Sequence, residues 1–291
     1  MQTPVFYTES GEFDRAKYLI GLLVVITAGL LLGYLYTVIN IFIPIVYLNV
    51  VTVFGFGLAM GLATRLVGRF LKNRNRRSRL ALGLVAGIAA NYFQWIGYVD
   101  YVLIGEIPSF GLYVANLDWI FRPAEFFGVI GEINRVGTWE VFGIEFKGFM
   151  LTVIWIFELA IIGYLPVASI LNIDVFPYSE TQHQWYKKFT LNDDFTAVSS
   201  ASAIQDSLLT DPVQAIRDLG NGQGWRHSKV HLFFLEEESD QYLSIERIFI
   251  EEQGRGKKQR TPIVTNMRIP KEAAHQILNT FDHSRERIEV F

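Results

Sequence analysis

Glu158 stands where acids are rare. It interrupts the run Ile154, Trp155, Ile156, Phe157 and Leu159, which is otherwise apolar. An ionised carboxylate at the middle of a bilayer costs on the order of 3 kcal/mol or more, so it must face protein, carry a proton or reach water. Two kinds of chemistry are open to it. As a functional group it is a proton or cation site on a conducting path. As a structural group it is buried glue, hydrogen-bonded to a neighbouring helix or to a partner subunit. Asn91, Gln94, Trp95 and Tyr98 recur at i, i+3, i+4 and i+7 and so share one helix face. This polar stripe is expected to face Glu158, with Asn91 or Gln94 as its partner. One acid without a second ionisable group beside it makes a poor relay, which favours structure and assembly.

Other chemistry-bearing residues do not assemble into a reaction centre. His227 and His231 are four apart, and they read as a strand edge with no acid set for a metal. The stretch Gly220, Asn221, Gly222, Gln223, Gly224 is glycine-rich but lacks the flanking strand and lysine of a phosphate-binding loop. Glu236, Glu237 and Glu238 read as a solvated turn. No serine sits in a nucleophile elbow. The absence of cysteine excludes disulfides, thiolate catalysis and cysteine-ligated metals. The chain is therefore expected to be no enzyme and to need no cofactor or metal.

The elements that must hold these groups are long apolar helices. Hydrophobic residues make up 51% of the 291 positions, and they concentrate before position 172. A helix needs roughly 20 mostly apolar residues to cross a bilayer. Four stretches qualify: about Tyr18 to Val38, Tyr47 to Leu71, Leu80 to Leu103 and Gly148 to Leu171. The first is too long for a cleaved signal core and reads as a retained span. A turn around Asn40 to Pro44 separates the first two. Lys72, Arg74, Arg76, Arg77 and Arg79 lie within eight residues that contain no acid. Basic residues in short loops stay cytoplasmic, which places this loop and both termini inside. Arg65 and Arg69 are expected to snorkel toward headgroups.

The outer segment 105–147 carries three basic residues against six acids and many aromatics. Apolar residues from Pro123 to Val136 fall at helical spacing. They predict one or two short helices, either lying at the membrane surface or forming a cap packed on the bundle. Close contact between spans is expected at Gly57 and Gly61 of the second and Gly83 and Gly87 of the third, both small-xxx-small pairs. These could seat the two helices on each other or mediate subunit contacts, the former being favoured.

After Leu171 the chain turns polar. Residues 172–198 read as a connector and 199–291 as a small cytoplasmic α+β domain. Helix is expected from Ser199 to Leu219, broken before Pro212 and capped there by Asp211. Strands are expected at Lys229 to Leu235, Gln241 to Glu251 and Pro262 to Ile269, the last with Ile263, Thr265 and Met267 on one side. A basic hairpin loop, Gly254 to Arg260, joins the last two. Pro270 opens a final helix. The fold class is thus an α-helical membrane bundle of four transmembrane helices followed by an α+β domain with an antiparallel sheet.

The order Gly131, Glu132, Ile133, Asn134, Arg135, Val136, Gly137, Thr138, Trp139, then Gly143, Gly148, Trp155 and Glu158, resembles a group of uncharacterised four-span bacterial membrane proteins typical of the Bacteroidetes. Asn91-Tyr92-Phe93-Gln94-Trp95 and Pro177-Tyr178-Ser179-Glu180 are similar to that group too, although its members often carry cysteine where Ser179 stands. The resemblance implies the topology and no activity. A net charge of −3 without a basic surface gives no argument for nucleic acid. The expected partners are the bilayer and either further copies of the chain or other membrane and cytoplasmic proteins. The leading expectation is a non-enzymatic subunit of the bacterial inner membrane that anchors or scaffolds a cell-envelope assembly, as in a secretion or defence apparatus. The alternative is a small oligomeric channel or transporter regulated by its cytoplasmic domain. A ligand-responsive membrane sensor is third.

Overall fold

A computed structural model describes residues 5–43, 46–137, 139–141, 144–172, 176–222, 224–250 and 258–286. Two units emerge, one built on residues 10–173 and one on residues 1–9 with 174–289.

The first unit contains four helices long and apolar enough to span a membrane. They are α1 (Arg15–Phe42), α2 (Val46–Phe70), α3 (Arg76–Ile104) and α6 (Phe149–Leu171). Between α3 and α6 come α4 (Phe110–Ala115), a 3-10 turn (Asn116–Phe121), α5 (Pro123–Val136) and a hairpin of β1 (Trp139–Val141) and β2 (Ile144–Phe146). Asp14 caps α1, and Asn75 caps α3 by accepting from the amides of Arg77 and Ser78. Pro166 lies inside α6.

The helices pack as a square. α1 lies against α2 and α3, and α6 lies against α2 and α3, so α1 and α6 are diagonal. Small residues set this arrangement. A Cβ on Gly29 would meet Ala89 and Ala90, and one on Gly33 would meet Phe93 and Gln94, which holds α1 parallel to α3. Gly57 faces Ile161 and Leu165, and Gly61 faces Leu165 and Ser169. Gly83 faces Val167 and Ile170, and Gly87 faces Gly163. The expectation that the two glycine pairs join α2 to α3 is therefore corrected: both pairs receive α6. The pairs mark close contact, but which helix fills the groove depends on the tertiary arrangement.

The outer segment is a cap on this bundle. Tyr113 is fully buried, and its hydroxyl donates to the carbonyls of Leu30 and Phe93. Phe126 is buried against Tyr92 and Trp119. The opposite side of the segment presents Phe121, Phe127 and Val136.

The second unit is an antiparallel sheet with helices on one face. Its elements are β3 (Tyr178–Ser179), β4 (Gln184–Trp185), β5 (Lys187–Leu191), β6 (Phe195–Thr196), α7 (Ala201–Thr210), α8 (Pro212–Arg217), β7 (Arg226–Phe234), β8 (Asp240–Ile250), β9 (Lys258–Pro270), α9 (Lys271–Thr280) and β10 (His283–Glu286). The strand order is β10-β5-β7-β8-β9, with β6 also on β7, and β3 pairs β4 separately. Val230, Leu232, Leu243, Ile245, Val264 and Met267 meet Ile204, Leu208, Ile216 and Ile277 of the helices. Asp211 caps α8 as expected.

Several boundaries differ from the sequence reading. Residues 176–198 are no connector, because β5 is an inner strand of the sheet between β10 and β7. Its sequence, Lys-Lys-Phe-Thr-Leu, is too short and too basic to announce burial on one face only. On β9 the expected side of Ile263, Thr265 and Met267 breaks: Val264 and Met267 are buried and Thr265 is exposed. The cause is a register shift against Leu243 and Ile245, with Asn266 at φ +49°. A bulge inserts one residue and switches the faces. The expected basic hairpin loop falls largely outside the described residues, as does Pro44. Before α1, Val5 and Tyr7 add to β9: the Arg268 amide donates to the Val5 carbonyl at 2.7 Å and the Tyr7 amide to Asn266 at 2.8 Å.

Candidate functional site

α6 carries Glu158 and α1 carries Tyr36. The Tyr36 hydroxyl donates to Glu158 Oε1, so the bond crosses the bundle between the diagonal helices. Tyr36 is buried and its ring stacks on Phe56 of α2, with centroids 4.7 Å apart and planes 14° apart. The stack fixes the phenol where the carboxylate can reach it. Next to it, Asn40 Nδ2 donates to the Tyr36 carbonyl, and Thr52 Oγ1 donates to Asn40 Oδ1 at 2.8 Å. The result is a short polar layer joining α1, α2 and α6.

The expected stripe on α3 lies at the right level and serves other ends. Gly87 against Gly163 and Trp95 against Trp155 put Asn91 and Gln94 level with the turn that holds Glu158. Asn91 Nδ2 donates to the Gly87 carbonyl of its own helix, and its Oδ1 is buried with no donor. The Gln94 backbone carbonyl accepts from Thr37 of α1, and no hydrogen bond joins its side chain to Glu158 among the described residues. Tyr98 packs on Trp95. The pairing of Glu158 with Asn91 or Gln94 is thus corrected to Tyr36. The reason is rotational: a helix face predicts which residues go together, not which neighbour they meet.

Asp100 escaped the sequence reading, which treated Glu158 as alone. It is 2% exposed at the end of α3, beside Asn116 and Trp119 of the 3-10 turn. Tyr36 escaped it as well, because a tyrosine in an apolar span carries no mark of its own.

The basic turn is a folded structure. Arg74 and Arg79 are buried, with Arg74 donating to the Lys72 carbonyl at 2.6 Å and Arg79 to the Asn73 carbonyl at 3.1 Å. Arg76 and Arg77 are exposed. Lys72 is half-buried and takes φ +48° to make the turn.

On the sheet's other face His227 and His231 are buried in β7, not at an edge, and both have acid neighbours. His231 Nδ1 lies 2.7 Å from Thr190 Oγ1 and its Nε2 3.1 Å from Glu246 Oε1. His227 Nε2 lies 3.5 Å from Asp194, which Lys229 approaches to 2.8 Å. The hydrogen bond from His231 and the nearby Arg260 hold the Glu246 carboxyl below the usual range. Burial raises the Asp194 carboxyl, yet Lys229 and His227 together leave it lowered. Among the described residues no three histidines or acids converge on a metal position. A hydroxyl, an imidazole and a carboxylate do line up at Thr190, but Arg260 shares the same Glu246 oxygen at 3.3 Å. That contact ties the carboxylate into a cross-strand ladder.

Compared with known protein families, curated proteins and solved structures, the chain matches none. The bundle spends its polar and small residues inward: Glu158 on Tyr36, Gly57 and Gly61 on α6, Gly83 and Gly87 on α6. Its outer surface is left to Leu, Val, Ile and Phe, among them Leu23, Val51, Leu62, Ile88 and Phe157.

Proposed function

We propose that the chain is a multi-pass protein of the bacterial inner membrane that anchors or scaffolds a cell-envelope assembly and catalyses no reaction. The observation that carries this reading is the Tyr36–Glu158 bond. It engages the half-buried mid-span acid across the bundle, as expected of a group that fastens helices. Helix directions support a common side for both termini, since α1 runs parallel to α3 and against α2 and α6. The exposed Arg76 and Arg77 at that end support a cytoplasmic side. Sequence resemblance to four-span bacterial proteins agrees with this arrangement. The sheet unit then offers a cytoplasmic docking module, and partners are further copies or other envelope proteins.

The test is crosslinking in the native membrane followed by mild-detergent purification and identification of what is retained. Stable recovery of other envelope or cytoplasmic proteins supports the scaffold. A strict monomer with no crosslinked partner removes it. The channel or transporter reading draws on one observation, the buried Asn91 Oδ1 level with Glu158, which lacks a partner. Ion or solute flux in proteoliposomes that Glu158→Gln abolishes would put that reading first.

A further inference from the structure

Glu158 has one hydrogen-bond donor and no cation. Tyr36 supplies the donor, and no ion pair to Glu158 exists among the described residues. The neighbouring elements supply no charge to balance it. On α2 the charged groups are Arg65 and Arg69. They lie at the far end, since Gly61 already faces Ser169, eleven positions beyond Glu158. On α3 the only charge between Arg79 and Gly105 is Asp100, which bonds Asn116 and Trp119 at the far end of the helix and leaves Oδ2 without a partner. Tyr92 donates to the Trp119 carbonyl and Tyr98 packs on Trp95. On α1 the polar groups near Tyr36 are Thr37 and Asn40, both neutral and both bonded elsewhere. Among the described residues the layer holds acceptors without partners, Asn91 Oδ1 on α3 and Asn49 Oδ1 on α2, and Tyr36 is the one donor that bonds Glu158. A carboxylate in such surroundings lacks compensation; a carboxylic acid brings its own O–H.

We infer that Glu158, half-buried on α6, is a proton-binding site, and that its proton acts on the Tyr36 hydrogen bond that links α1 to α6. Those two helices are the ones whose chain continues into the sheet unit, before Ser10 and after Ile173. Proton release would place an uncompensated charge between these two helices. This goes beyond an anchoring role and does not require one.

A hydrophobic carbodiimide tests this directly. The reagent takes the carboxylic acid proton on one nitrogen while the carboxyl oxygen adds to its central carbon. The acyl group then migrates to nitrogen, leaving a stable acylurea that peptide mass spectrometry locates. The full chain in native membranes is expected to be modified at Glu158, with modification falling as pH rises. Tyr36→Phe removes the one donor bonded to Glu158, and the fraction of Glu158 modified at neutral pH is expected to rise severalfold. The proposal is overturned if Glu158 in the natural chain stays unmodified at every pH. It is equally overturned if only a water-soluble carbodiimide modifies Glu158, or if Tyr36→Phe leaves the fraction of Glu158 modified at neutral pH unchanged or lowers it. Mapping on the natural chain needs no variant to fold, and its outcome is independent of whether crosslinking finds a partner.

Discussion

The hydroxyl of Tyr36 reaches Glu158 between two helices that are not packing neighbours. It spans the diagonal of the bundle, so it reports on the arrangement of all four helices at once. Glu158→Gln keeps an acceptor for the phenol and is expected to hold wild-type stability. Glu158→Leu leaves the buried hydroxyl of Tyr36 without an acceptor and is expected to lose on the order of 1 kcal/mol, the usual size of an interhelical hydrogen bond in membranes. Thermal unfolding in mild detergent separates the two variants. Equal stability of the leucine variant would show that the bond does not hold the bundle.

The glycines of α2 and α3 make a graded prediction. A methyl at Gly83 would stand 2.9 Å from Val167 Cα, and one at Gly87 2.9 Å from the Gly163 carbonyl oxygen. Backbone cannot swing aside, so Gly83→Ala and Gly87→Ala should each destabilise by about 1–3 kcal/mol through overpacking. At Gly57 the nearest obstacle is the tip of Leu165 at 2.6 Å, which can rotate, and Gly57→Ala should cost less. Gly55 has nothing within 4 Å, and Gly55→Ala should be neutral or stabilising by helix propensity. Thermal melts of the four variants read the order.

Much of this organisation was legible from residue types. Four long apolar runs, the Asp211 cap and the Lys229 and Gln241 strands follow from local pattern, because span length, capping and alternation are properties of neighbouring residues. What was not legible depends on contacts distant in sequence. Glu158 meets Tyr36, 122 positions away, and the sequence marks only one of the pair. β5 enters the sheet as five residues that alternate weakly, and Val5 to Tyr7 join β9 from the other end of the chain. His231 looked like an edge residue because its acid partner, Glu246, lies on the next strand.

Glu246 predicts an acid response of the sheet. Its carboxyl is lowered in the fold first by the hydrogen bond from His231 and then by Arg260 and Lys188 nearby. A lowered folded value means that the stabilisation is complete above the ordinary carboxylate range and is lost as pH falls through the folded value. The protection factors of β7 and β8 amides in the full chain, taken relative to the slower intrinsic exchange in acid, should therefore fall on acidification below that range. Glu246→Gln should exchange faster at neutral pH and respond less to acid. An unchanged acid response in the variant would assign the effect to another group.

The N-terminal segment closes part of a sheet edge, since Tyr7 donates its amide to Asn266 and Val5 accepts from Arg268. Tyr7→Pro removes that donor. Hydrogen exchange at Arg268 is expected to rise while the β7–β8 ladder keeps its protection. Unchanged exchange at Arg268 would show that its protection does not depend on residues 5–7.

The proposed threading can be read on the natural sequence because it contains no cysteine. A single introduced thiol is then the only one in the molecule. Arg77 is exposed in the turn between α2 and α3, and Glu132 is exposed on α5, paired only with Arg135 one turn away. Arg77→Cys is expected to resist an impermeant maleimide applied to intact spheroplasts and to react once the membrane is opened. Glu132→Cys should react from outside. Both substitutions leave the buried arginines of the turn, Arg74 and Arg79, in place, so the fold of the turn is not at issue. The reverse pattern would invert the whole bundle, because α1, α2, α3 and α6 alternate in direction and fix every loop relative to the first. Reaction of both thiols from one side would break the four-span threading itself, since α3 separates the two positions by a full crossing.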